Sequence, residues 1–168
     1  LIIEMPTAFD VPASGTIDYQ YVRVPTGFTE DKWVQLAEAR PDDRERVHHI
    51  IAFIREPGSP YMADLPVGTP MTAGQLYELA KKNGTARRGG GGGNSFADMV
   101  AGFAPGTPPL TLKPGQGKLI KAGSDIIFQM HYTANGKVGR DQSRLGLVFA
   151  KGQPSERVVS LASGNDRF

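Results

Sequence analysis

The chain contains no cysteine. That excludes disulfide staples, thiolate metal sites, iron–sulfur clusters and cysteine nucleophiles, and it leaves the redox compartment unreadable from thiols. A transition-metal site would have to be built from histidine, carboxylate or methionine. Histidine itself is scarce, with three residues in 168. An excess of one charge sign is also missing: 19 Lys plus Arg stand against 17 Asp plus Glu, a net charge of +2, so no field calls for nucleic acid or an acidic membrane as partner. The longest apolar runs, Ile50 to Ile54 and Leu145 to Ala150, fall far short of the roughly 20 residues of a membrane-spanning helix. Neither nucleic-acid binding nor a membrane span is expected. The opening residues Leu1-Ile2-Ile3-Glu4 lack an initiator methionine and the basic-then-apolar order of a signal peptide. The expectation is a processed protein or a piece of a longer one.

Glycine and proline, by contrast, are plentiful, 21 and 13 residues respectively, and they fall between short β-rich runs. This punctuation predicts an all-β fold, and residues 1–168 have the length of one domain. Strands are expected at Thr16 to Val24, Trp33 to Ala39, Val47 to Ile54, Gly117 to Lys121, Asp125 to Thr133 and Arg144 to Ala150, with a weaker one at Arg157 to Leu161. In the Asp125 run, Ile126, Phe128, Met130 and Tyr132 alternate onto a core face, and Ile127, Gln129 and His131 onto a semi-polar one. One short inserted helix is expected at Thr72 to Asn83. Leu76, Leu79 and Ala80 form its apolar stripe, Thr72 and Gln75 read as a capping box, and Gly84 as the stop. Residues 84–95, with Gly89 to Gly93 in an unbroken run, read as a flexible surface loop in which Arg87 and Arg88 are solvated charges. Gly102 to Pro114 is too rich in proline for an interior strand and is expected to cross the surface as an extended, unpaired connection. After Asn135-Gly136 a long loop is expected until Arg144.

The histidines are not scattered. Two lie in Val47-His48-His49-Ile50-Ile51-Ala52-Phe53, and the third in Gln129-Met130-His131-Tyr132. Three imidazoles with an open position make a redox or a Lewis-acid metal centre; the alternative is three satisfied core or surface histidines. Consecutive strand residues point to opposite faces, so His48 and His49 can share a metal only at a strand end, a bulge or a strongly twisted edge. The charged turn Pro41-Asp42-Asp43-Arg44-Glu45-Arg46 supplies a strand start just before the pair.

These two motifs resemble the N-terminal domain of the copper type II, ascorbate-dependent monooxygenases, the family of peptidylglycine alpha-hydroxylating monooxygenase and dopamine beta-monooxygenase. Asp31-Lys32-Trp33-Val34-Gln35, Val47 to Phe53, Ala104-Pro105-Gly106-Thr107-Pro108-Pro109, and Ala122-Gly123-Ser124-Asp125 through His131 to Lys137 are similar to bacterial members. The resemblance spans roughly Gly15 to Ala150. It implies a jelly-roll β-sandwich whose His48, His49 and His131 hold one copper ion, the family's electron-storage site, with ascorbate or another reductant as external electron donor. It further implies a partner, a second domain C-terminal to this one, where a His-x-His pair and a methionine hold the hydroxylating copper. No His-x-His occurs in this chain, so alone it is expected to bind copper and not to hydroxylate. A secreted or periplasmic location follows from the same resemblance. The segment Ala162 to Phe168 falls about where the second domain would begin, and the disulfides of the animal enzymes have no counterpart here.

Beside the resemblance, the residues carry their own chemistry. Gln129 shares the His131 face and could orient an imidazole through its free nitrogen. Met130 points into the core, and Tyr132 reads as a core or interface residue. Asp125 is expected to satisfy turn amides at a strand start and Asp141 to lie in an exposed loop, both structural. Trp33 reads as a core anchor or domain-interface aromatic. Two other functions compete: a non-catalytic β-sandwich interaction module with structural or vestigial histidines, and a three-histidine zinc hydrolase, which would need a general base beside the metal.

Overall fold

The computed structural model describes residues 1–86 and 98–160. The expected Gly89 to Gly93 loop, Arg87, Arg88 and the segment from Ala162 onward lie outside the described residues. The chain runs β1 (Ile2–Glu4), β2 (Phe9–Val11), β3 (Gln20–Pro25), β4 (Lys32–Arg40), β5 (Val47–Arg55), β6 (Met71–Thr72), α1 (Ala73–Asn83), β7 (Asp98–Phe103), β8 (Leu110–Thr111), β9 (Gln116–Ile120), β10 (Asp125–Tyr132), β11 (Gly139–Asp141), β12 (Arg144–Phe149) and β13 (Glu156–Arg157). One sheet has the order β1-β12-β4-β9-β13, with β8 also on β4; the other is β6-β3-β10-β5-β7, and β2 pairs with β11. The fold is an all-β sandwich with one short helix.

Alternation along the strands builds the core. Val34, Ala37, Ile120, Leu145 and Leu147 from the first sheet meet Val22, Ile50, Ala52, Ile126, Phe128 and Met130 from the second, all buried. Lys118 is one polar exception. It pairs with Val34 across β4 and β9, so its side chain enters the sandwich, where it is 1% exposed and meets Asp98 of β7. The outer face of the second sheet is half-covered by the segment after β5: Tyr61 packs edge-on against Phe53 at 6.0 Å, and Ile127 and Leu65 are buried there. The expected semi-polar face of β10 is therefore covered at Ile127 rather than open to solvent.

The helix has its cap as the sequence predicts. Thr72 Oγ1 accepts from Gln75 N at 3.2 Å, Thr72 N donates to Gln75 Oε1 at 2.8 Å, and Gly84 ends the helix at φ 71°. None of its residues is buried, so Leu76, Leu79 and Ala80 only graze the domain surface. Among the described residues no helix is long and apolar enough to cross a membrane.

Several expectations need correction. Residues 16–19 are unpaired, and β3 begins at Gln20. In the proline-rich segment Gly102 and Phe103 belong to β7, and Leu110 and Thr111 pair with Ala37 and Leu36. Pro108 and Pro109 stop just short of that pairing, so their missing N–H groups cost the ladder nothing. The long loop expected before Arg144 contains β11, paired with β2. Among the described residues the weak terminal strand covers Glu156–Arg157 alone, parallel to β9, and Leu161 lies outside them. Trp33 is half-buried rather than a core side chain. It lies over Gly117, where a Cβ would stand 3.0 Å from its ring and 2.5 Å from Pro154 Cγ, so Gly117 is required to be small.

Candidate metal centre

The spacing of apolar residues in β5 forces an irregularity. Ile50, Ala52 and Ile54 are buried at even positions, and Val47, at an odd one, is buried too. A regular strand cannot send both sets into one core. The register against β10 shows how the conflict is resolved. Pairing is regular from Asp125↔Arg55 to His131↔His49 and then jumps to Tyr132↔Val47, leaving His48 as an extra residue. This is a β-bulge, and it brings adjacent side chains to one side of the sheet.

The chain leading into the bulge is fastened. Asp43 O accepts from Arg46 N at 3.3 Å and from Val47 N at 3.0 Å, and Thr133 N donates to Arg46 O at 2.8 Å. The Arg46 guanidinium donates to Asp43 Oδ2 at 2.7 Å and to Lys137 O at 3.1 Å. Gly139 makes room for it, since a Cβ there would lie 2.5 Å from Arg46 Cδ and Asp43 Oδ2.

The bulge gathers the three histidines. His48 Nδ1 and His49 Nδ1 are 3.2 Å apart, and His131 Nδ1 and His49 Nδ1 are 3.4 Å apart. One ligand atom from each ring lies within 4.8 Å of the others, with no carboxylate in the group. Two nitrogens bound to one ion at about 2.0 Å, in trigonal or tetrahedral arrangement, stand about 3.3–3.5 Å apart, so the two closest separations fit a shared ion. Hydrogen bonding alone does not account for them: His49 Nδ1 has one lone pair or one N–H to offer, and two neighbours claim it. The three residues form a group that could hold a metal ion, and the metal's identity is left open by this geometry.

His48 is exposed, while His49 and His131 are half-buried. Burial, then the neighbouring His131 and His48, hold the His49 pKa below its ordinary value; burial and His48 do the same for His131. Both shifts favour the neutral ring, the form that ligates. The same shifts carry a stability prediction for the metal-free protein. An unfolded histidine takes up its proton near pH 6.5 and these two folded ones only lower, so the unfolded state binds more protons in between and stability falls as pH drops below about 6.5. Urea midpoints measured with chelator at pH 7.5 and 5.5 should differ in that sense, and the difference should shrink in a His49→Gln, His131→Gln double variant.

Tyr19 completes the surroundings and was not singled out by the sequence. Its ring stacks on His131 at 4.6 Å and 24° and leans on His49 at 5.5 Å. The cause is register: Met130↔Gln20 is the last pair of β10 and β3, so the next residue back from Gln20 falls opposite His131. Gln129 lies on the same face, but its Nε2 donates to Tyr21 Oη at 3.0 Å, and none of its hydrogen bonds goes to an imidazole. Met130 is fully buried in the core. Tyr132 is a core residue stacked on Phe9 at 4.8 Å. Burial and the adjacent Asp141 push its phenol well above the ordinary range, so it remains a donor.

The two carboxylates differ from expectation. Asp125 accepts from Arg23 Nε at 2.8 Å and from the Arg55 guanidinium at 2.9 Å rather than from turn amides. Asp141 is fully buried instead of lying in an exposed loop, because four donors converge on it. No protein-family model matches this chain, and no curated protein matches it.

Proposed function

We propose that this chain is the copper-holding, electron-storage domain of a copper- and ascorbate-dependent monooxygenase. The observation that carries the reading is the convergence of His48, His49 and His131, from two distant motifs, on one point. When bound, copper supplies a one-electron couple. The residues serve that couple in identifiable ways. Three neutral imidazoles add no charge, so the site need not compensate buried anions in either oxidation state. The bulge and the half-buried His49 and His131 fix the geometry, and the stacked Tyr19 covers one side of His131. The exposed His48 leaves an edge open to a small external donor such as ascorbate. Hydroxylation would take place at a second copper in a following domain, and the protein would work in a secreted or periplasmic setting. A zinc hydrolase fits less well, because no carboxylate belongs to the group to serve as general base.

The test is metal titration. The protein should take up one copper ion and retain it through reduction by ascorbate and reoxidation, with a Cu(II) EPR signal that disappears and returns. His131→Ala should abolish stoichiometric uptake. Unchanged uptake in that variant refutes the proposal, and loss of copper on reduction refutes electron storage.

A further inference from the structure

We propose that Asp141 is a positioning residue for the three-histidine centre, tying both histidine strands to one buried carboxylate. Its effect on metal binding rests on the copper reading above; its effect on the rings does not. Asp141 ends β11 and is 0% exposed. Oδ1 accepts from Asp42 N at 2.9 Å and from Asp43 N at 3.0 Å. Oδ2 accepts from Tyr132 Oη at 3.0 Å and from Ser143 Oγ at 2.8 Å. A carboxylate taken out of water needs this many donors, and these four are placed with consequence.

Asp42 and Asp43 head the turn whose next fastening, Asp43 O to Val47 N, stands one residue before His48. Tyr132 directly follows His131 and occupies the step where the register jumps. The two oxygens of one side chain therefore set the spacing between the start of β5 and the end of β10. That spacing fixes where the bulge falls and how His48 and His49 meet His131. Tyr132 cannot follow a displaced Asp141 freely, because its ring is stacked on Phe9. Asparagine has the same shape but only one accepting oxygen; with that oxygen kept on the two amides, its NH2 faces Tyr132 and Ser143, whose hydroxyls must turn from donors into acceptors, and all four charge-assisted bonds are lost.

Asp141→Asn should lower copper affinity by about 10–100-fold, the scale on which groups supporting a metal ligand act, and should change the Cu(II) EPR hyperfine splitting. In the metal-free protein it should shift the 15N signals of the His48 and His49 rings and speed amide exchange at His48. Asp125→Asn is the control: another buried carboxylate, at the other end of β10, it should cost stability and leave affinity, EPR and ring signals at wild-type values. Should Asp141→Asn fail to fold, Tyr132→Phe and Ser143→Ala each remove one bond to Oδ2 and should move affinity and EPR in the same direction by a few-fold. Wild-type affinity, EPR and ring signals in folded Asp141→Asn, or in both single-bond variants, overturn the proposal. So do ring signals that move equally in Asp125→Asn. If the wild-type protein binds no copper, the functional reading fails, and the ring signals and exchange rates of the metal-free variants decide the positioning role on their own.

Discussion

Lys118→Ala is expected to remove about 3–5 kcal/mol of folding stability, the scale for breaking a buried ion pair from one side. For a domain of this size that corresponds to a Tm lower by roughly 6–20 °C. The cost is not lost attraction alone. Lys118 Nζ is the side-chain partner of Asp98 inside the sandwich, Ser160 N donates to Asp98 Oδ1 at 2.7 Å, and among the described residues Asp98 Oδ2 is buried without a hydrogen-bond partner. Removing the ammonium leaves that carboxylate to a single backbone donor. Asp98→Ala should cost a similar amount by stranding the lysine. A Lys118→Met, Asp98→Leu double variant should recover most of the loss, because apolar side chains of similar volume avoid desolvating either charge. The coupling term of the double-mutant cycle, from thermal or urea unfolding, measures the effect. Single variants within 1 kcal/mol of wild type would show that the pair contributes nothing.

Such a pair is invisible in sequence. Lys118 sits in Gln116-Gly117-Lys118-Leu119-Ile120, where a lysine reads as one more solvated charge, and only the pairing with Val34 turns it inward. The same division runs through the whole molecule. β5, β10 and β12 are long enough for their alternation to be read, and their predicted bounds differ from the observed ones by a residue or so. β1, β2, β6, β8, β11 and β13 have two or three residues each, too few to carry a period, and they are strands only because a distant partner pairs with them. The helix cap is local chemistry over four residues, so it was legible.

The centre divides likewise. The three histidines stood out by type and grouping, and strand geometry already required a strand end, a bulge or a twisted edge for His48 and His49 to share a metal. Tyr19 and Asp141 were not legible as neighbours of the centre. Tyr19 is placed by the register of β3 on β10, and Asp141 is held by amides 98 and 99 residues away. An aspartate between Arg140 and Gln142 gives no sign of such donors, which is why it reads as a loop residue.

Deleting His48 outright is expected to leave the fold standing and to abolish the copper binding proposed above. The bulge exists because Val47 and Ile50 are separated by an odd number of steps while both face the core. Without His48 the strand reads Val47-His49-Ile50, the parity conflict vanishes, and the pairs Tyr132↔Val47 and His131↔His49 become consecutive rungs of a regular ladder. Stability should stay within about 1 kcal/mol of wild type, since no apolar contact is lost and one ladder defect is removed. Two imidazoles then remain where three converged. Copper affinity should fall by more than the roughly 10–100-fold that loss of a ligand's supporting partner costs, and copper should cease to raise the Tm by ligand linkage. His48→Ala provides the comparison. It keeps the bulge and loses the same imidazole, so its copper affinity should match the deletion's, while its amide exchange around Val47 and His49 should stay as fast as in wild type and slow only in the deletion. A deletion variant that does not fold would overturn the parity argument, and one that folds and keeps wild-type copper affinity would show that the extra residue of β5 does not build the centre.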